Sequence, residues 1–180
     1  MRALRFASAV VFGCVLACLP LRARQEEKHD PLTGPQMEQI REAGIYPDER
    51  VKLYTKFIDE RADTIKGLTT RARSAARTHR LDDELQDFTV LMDELGSNLD
   101  TFSDRKADIR KSLKPLAEAT QRWLVILHSL PDAQGDDLSL KEAVESGSDL
   151  ADQAKTMLAE QTQYFDLHKD QQGQDRYEPK

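Results

Sequence analysis

The sequence predicts an all-α protein, an elongated antiparallel helical bundle of three to four long helices with a short N-terminal helix in front. The first observation behind this is a seam of apolar residues stepping by four and three, from Leu81 through Leu85, Phe88, Met92, Leu95, Leu99 and Phe102 to Leu130. Thirteen of its fifteen positions are apolar, the spacing that keeps one helical face against its neighbours. The second is composition. Aromatic residues are 6% and charged residues 32% of 180, which fits long helices with solvated outer faces and fits a sandwich or barrel poorly. The third is a pair of capping boxes, Thr33 with Gln36 and Ser139 with Glu142, each opening an apolar-periodic stretch.

Residues 1–19 stand outside the fold. Arg2 and Arg5 precede an apolar run from Phe6 to Leu19 whose one polar member is Ser8, the layout of a secretory signal and too short for a comfortable membrane span. Two cleavage readings stand side by side. Val15, Leu16 and Ala17 ahead of Cys18 resemble a bacterial lipobox, which makes Cys18 the lipidated first residue. Cleavage after Ala23 is the other reading, with Leu21 larger than the small residue preferred three positions back. Both expect an exported protein in the periplasm or cell envelope, freely soluble or lipid-anchored. Neither leaves a cysteine pair in the folded part, so disulfides and thiolate chemistry are excluded there. Loss of Arg2 and Arg5 takes the formal charge from −6 to −8, a balance that argues against a nucleic-acid partner.

Along the remaining chain, residues 20–31 read as a flexible tether, 32–168 as the helical bundle domain and 169–180 as a disordered tail. The first helix is short. It is capped by Thr33 and Gln36, carries Pro35 in its first turn and a Leu32–Met37 staple, and ends near Gly44. Asp48 is the expected cap of the second helix, whose stripe is Val51, Tyr54, Ile58, Ile65 and Leu68, thickened by Phe57 and Ala62. A turn is expected between 69 and 79. Five basic residues and no acid lie between Lys66 and Arg80, and seven acids and no base between Asp82 and Asp100. A hairpin sets these blocks side by side, each suiting the dipole at its own helix end, whereas one straight helix sets them end to end. The hairpin is the favoured reading.

The third long helix is expected to open near Leu81. Lys106 interrupts its seam, and Pro115 removes a hydrogen bond and crowds the preceding turn. Leu113, Leu116 and Trp123 keep the phase of the residues before Pro115, so a kinked continuation is favoured over a break. Pro131 ends the helix, and 132–137 is an acidic loop. The last helix, capped by Ser139, carries Ala143, Leu150, Met157 and Tyr164 beside Val144, Ala151, Leu158 and Phe165, with Gly147, Ala151 and Ala154 thinning one side.

Chemistry-bearing patterns are sparse. His79, His128 and His168 have no Glu three residues earlier, the single Glu26-x-x-His29 lies in the expected tether, and no histidine has a partner His four away, so the paired Glu-x-x-His of di-iron bundles and the zincin helix are absent. The spacing of Asp132, Asp136 and Asp137 does not match a calcium loop, and no phosphate-cradling or nucleophile-elbow motif occurs. No catalytic residue, cofactor or metal is expected. Trp123, Val125 and Ile126 stand in a run that is apolar on all sides, which is explained either by burial on two faces or by an interaction surface for a partner chain or a second copy.

The segment LMDELGSNLDTFSDRKADIRKSLK from Leu91 to Lys114, with Asp30–Thr33 and Lys52–Phe57, resembles a family of small secreted all-helical acidobacterial proteins with no assigned activity. That resemblance implies fold and compartment. Leu32-Thr33-x-x-Gln36 separately resembles a motif of the Spy and CpxP periplasmic chaperones. It occurs once, since Leu68-Thr69 lacks the Gln, and the capping box accounts for the same residues. The expected role is therefore a non-enzymatic, secreted helical-bundle protein that works through protein–protein contact or self-association. The alternative is a periplasmic stress chaperone or ligand sensor, and membrane contact is expected only through a lipid anchor.

Overall fold

The computed structural model describes residues 30–130 and 137–173. These form α1 (Gly34–Ala43), α2 (Pro47–Thr69), α3 (Ala75–Asp104), α4 (Arg110–His128) and α5 (Leu138–Leu167), closed by a 3₁₀ turn at Lys169–Gln171. The fold is an all-helical bundle. Four long helices surround one core, and α1 lies along α2 alone.

Side-chain pairs fix the directions. Ser112 meets Asp48 and Trp123 meets Asp59, both pairs 64 residues apart, so α2 and α4 run parallel. Asp93–Ser146 and Asp100–Gln153 are both 53 apart, so α3 and α5 also run parallel. Across α2 and α3 the separation grows from 23 at Arg61–Glu84 to 40 at Tyr54–Glu94, as an antiparallel hairpin requires. Consecutive long helices thus alternate in direction. The cyclic order is α2, α3, α5, α4, with α3 and α4 on a diagonal.

Local chemistry sets the element ends. Thr33 and Gln36 form the reciprocal capping box. Leu32 is buried in the core while Met37 is exposed, so the expected staple between them does not cover Met37. Asp48 is not a cap. Pro47 opens α2 after Tyr46, and Asp48 instead accepts a hydrogen bond from Ser112 Oγ, joining α2 to α4. Asp137 rather than Ser139 caps α5, accepting from Leu140 N, because the helix opens one residue after it. Every residue of the expected α2 stripe is buried.

The seam does not run as one helix. Helix α3 ends at Asp104, and the break lies ten residues before Pro115. Lys106 has φ 54°, Lys106 N donates to Ser103 O, and Ala107 N donates to Phe102 O. This is a Schellman ending with lysine where glycine is usual, and its two apolar flanks, Phe102 and Ala107, are both buried. Phase survives the break because the connection also faces inward: Ala107 and Ile109 are buried, and Ile109 precedes the first residue of α4. Pro115 stays inside α4 on an exposed position, where it has no N–H to offer the carbonyl of Lys111, itself an exposed residue.

Small residues let α5 approach its neighbours. A Cβ on Gly147 would lie 3.2 Å from Leu124 Cδ2 of α4 and 3.6 Å from Met92 Sδ of α3. At the far end Gln161 donates to Ala107 O and accepts from Ile109 N, so the buried amide holds the α3–α4 connection against α5. Folded structure extends past 168. The 3₁₀ turn follows, and Gly173 N donates to Asp108.

A left-handed non-glycine residue costs about 1–2 kcal/mol, and the Lys106 ammonium recovers about 0.5 kcal/mol or a little more from the Tyr164 ring 5.4 Å away. Lys106→Gly is therefore expected to stabilise the protein by about 1 kcal/mol and to raise its melting temperature by about 2–4 °C. A lowered melting temperature in thermal denaturation would contradict the strain assigned to this residue.

Candidate functional site

The three residues expected to form an interaction surface do not act together. Trp123 is 1% exposed and belongs to the core, Ile126 is half-buried against it, and Val125 is 70% exposed. Helical geometry explains the split, since neighbouring residues are about 100° apart around the axis. Trp123 looks inward, where its ring meets Phe88 of the diagonal helix edge-on at 5.9 Å. Its indole N–H donates to Asp59 Oδ1 at 2.6 Å, and Arg122 lies 3.3 Å from the same carboxylate oxygen. An apolar run on all sides was a helix buried from two directions, and the proposed patch reduces to Val125. Cys18, the candidate lipidation site, lies outside the described residues, as do His29 and the loop residues Asp132 and Asp136.

Among the described residues several polar clusters tie neighbouring parts of the bundle together. Arg61 of α2 contacts Glu84 at 2.8 Å and Asp87 at 3.3 Å, and also donates to Pro31 O, so one guanidinium ties α2, α3 and the entering chain. Both acids are buried. Arg61 comes from outside the basic block that was expected to face the acids. The turn falls at 70–74, so Arg71 and Arg73 lie in it and Arg77 and Arg80 lie on α3 itself. Their dipole role is also split. Arg77 donates to the Leu68 carbonyl at the end of α2, but it stands in the opening turn of α3, where a cation is unfavourable.

The second cluster is Tyr54, fully buried, whose Oη donates to Glu94 at 2.6 Å with the Arg50 guanidinium 5.8 Å from its ring. Burial first, and then the hydrogen bond to Glu94, push the Tyr54 phenol well above its ordinary range. The third gathers at the α3–α4 connection. Arg110 grips Asp108 through two nitrogens at 2.8 and 2.9 Å, and this hydrogen bonding holds the Asp108 carboxyl below its usual range. Beside it a cleft of about 200 Å³ is lined by Ser103, Lys106, Met157, Glu160, Gln161 and Tyr164.

Of the described histidines, His79 and His128 are exposed and His168 is half-buried. His79 Nδ1 is 2.9 Å from Asp83 on an exposed face, and the groove beside it is lined by Arg61, Ala75, Ala76 and Arg80 with acids, not by a hydroxyl or thiol nucleophile. His168 stacks on Tyr164 at 4.2 Å. Ser146 donates to Asp93 among Glu142, Glu145 and Asp149, an acidic corner without a histidine. Among the described residues no group of three metal-ligating side chains is placed to hold an ion, and no helix is long and apolar enough to cross a membrane. No family model, curated protein or solved structure matches the chain.

Two measurements follow from this geometry. Trp123→Ala is expected to cost about 3–5 kcal/mol, as aromatic truncations in cores do, whereas Val125→Asp is expected to stay within about 0.5 kcal/mol; denaturant unfolding of the pair separates core from surface. Because the folded-state value for Tyr54 lies above that of the unfolded chain, its stabilisation is complete below about pH 10 and is lost as pH rises further. Tyr54→Phe should remove the highest-pH component of the tyrosinate absorbance titration, and an unchanged titration would contradict the burial of that hydroxyl.

Proposed function

We propose that the chain is a non-enzymatic, exported helical-bundle protein that works in the bacterial envelope through contact with a partner protein or a second copy of itself. The observation that carries this reading is how its chemistry-bearing side chains are used. Arg61 with Glu84 and Asp87, Tyr54 with Glu94, Trp123 with Asp59, and Gln161 with the α3–α4 connection each spend their hydrogen bonds joining one element to another. The leader-like segment from Arg2 to Leu19 supports export. A lipid on Cys18 would then supply the anchor.

Contact by a broad apolar face, as a chaperone of unfolded clients uses, finds less support. Ile45, Tyr46, Val90, Val125, Leu138 and Leu167 are exposed but lie on the α1–α2 turn, on α3, on α4 and at opposite ends of α5. Thr33 and Gln36 of the chaperone-like motif are occupied by helix capping. Recognition through the charged outer faces is the reading that remains.

Expression with the leader, followed by fractionation and N-terminal mass analysis, tests it. The expected product is an envelope protein beginning at Cys18 with a lipid or after Ala23, and a photo-crosslinker at Val90 or Val125 should yield one discrete adduct. A cytoplasmic product with residues 1–19 intact overturns the reading.

A further inference from the structure

The tip of the α2–α3 hairpin has a charge opposite to that of the chain as a whole. Lys66, Arg71, Arg73, Arg77 and Arg80 fall within the last turn of α2, the connection and the opening turns of α3, and no acid lies among them. The chain as a whole is at −6, so removing these five cations leaves −11 for the remainder. Among the described residues no carboxylate is within salt-bridge distance of Lys66, Arg71 or Arg73, while Arg80 lies 3.7 Å from Glu84. Positive potential at the opening of α3, whose cap is Ser74, adds to the side-chain charge.

This end also stands clear of the other long helices. The α2–α4 register sets His128, the last residue of α4, level with Thr64, and the α3–α5 register sets Leu138 level with Leu85. The first ten residues of α3 therefore extend about 15 Å beyond α5. Ala72, Ala75 and Ala76 are small and exposed there, so the side chains beside Arg71 and Arg73 are short.

The chain enters from the same end. Pro31 is held by Arg61, and α1 then runs back along α2, away from the turn, with Gln36 on Glu60. Arg61 is eight residues from Thr69, about 12 Å along the helix.

We propose that the tip of the α2–α3 hairpin is an electrostatic docking site for an anionic phospholipid surface, which the bundle meets end-on. Arginine guanidinium groups grip phosphate oxygens through paired N–H donors, and each basic residue at an anionic bilayer contributes about fivefold in affinity. The acidic sides of the bundle are repelled by the same surface and enforce the end-on approach. The choice of a lipid surface rests on the export proposed above. A vesicle assay is independent of where the chain resides in the cell, so the two can fail separately.

The test is co-sedimentation of the full chain carrying Cys18→Ser with phosphatidylcholine vesicles and with vesicles containing phosphatidylglycerol. The leader, with Arg2 and Arg5, is common to every variant and favours the anionic vesicles by itself, so the readout is how each triple variant changes the difference between the two compositions, at low and high salt. The expected result is a preference for phosphatidylglycerol that high salt abolishes. Lys66→Gln/Arg71→Gln/Arg73→Gln should weaken that preference roughly 100-fold, and Lys111→Gln/Lys114→Gln/Lys155→Gln, with the same change in net charge, should retain it. Absence of the preference, its equal loss in both triple variants, or equal binding of a single-stranded oligonucleotide at the same salt overturns the proposal. Circular dichroism of both variants confirms that each remains folded, and the three tip residues are exposed with no core contact.

Discussion

The contact of Trp123 with Phe88 across the bundle axis is the constraint from which the rest of the arrangement follows. Two helices on a diagonal touch only through side chains long enough to reach the centre, and these rings are among the largest fully buried ones. The indole carries a polar N–H into that centre, which costs free energy unless it is paired. Asp59 pairs with it from α2 and so sets the register of the parallel α2–α4 contact. The Ser112–Asp48 bond repeats that register eleven residues lower. Once α2 and α4 are parallel, the hairpin turn of α2 into α3 and the return of α4 into α5 leave α3 and α5 parallel too.

Much of this was legible in the sequence because it depends on periodicity, which is local. The α2 stripe, the seam from Leu85 to Leu130, the capping box at Thr33 and the thin side of α5 at Gly147 and Ala154 all appear as expected from spacing alone. The α2–α3 hairpin was legible too, through charge, although the cation that meets the acids is Arg61 rather than a member of the basic block. Which helices are neighbours was not. A stripe reports that a face is buried, and it is silent about whether a parallel or a diagonal partner covers it.

The break at Lys106 was illegible for a different reason. The usual mark of a Schellman ending is glycine, and here a lysine adopts the left-handed conformation, with the ending held by its two backbone bonds and by Phe102 and Ala107. Pro115 carried the opposite message, since proline in a helix interior is disruptive unless the carbonyl it strands can reach water. The helix does continue through Pro115, as the in-phase residues after it suggested, but a break falls at Lys106, where the backbone and the tertiary setting decide and the residue type gives no sign. For Trp123 the sequence left burial and an interaction surface as alternatives, and burial holds for Trp123 itself. Its apolar neighbours Val125 and Ile126 suggested one sticky surface, but they point in different directions around α4.

The distribution of charge is the remaining asymmetry, and packing does not explain it. Acids such as Glu84 and Asp87 are held by Arg61 within the hairpin, and surface pairs such as Lys52–Glu49 contribute a few tenths of a kcal/mol wherever they fall. Folding alone would be served as well by cations scattered along α2 and α3. Placing arginines in the opening turn of α3 works against the helix dipole, a cost that the Arg77 bond to Leu68 O offsets at one position only. A cationic end on an otherwise acidic rod is thus a feature that stability does not require, at the end where the chain enters.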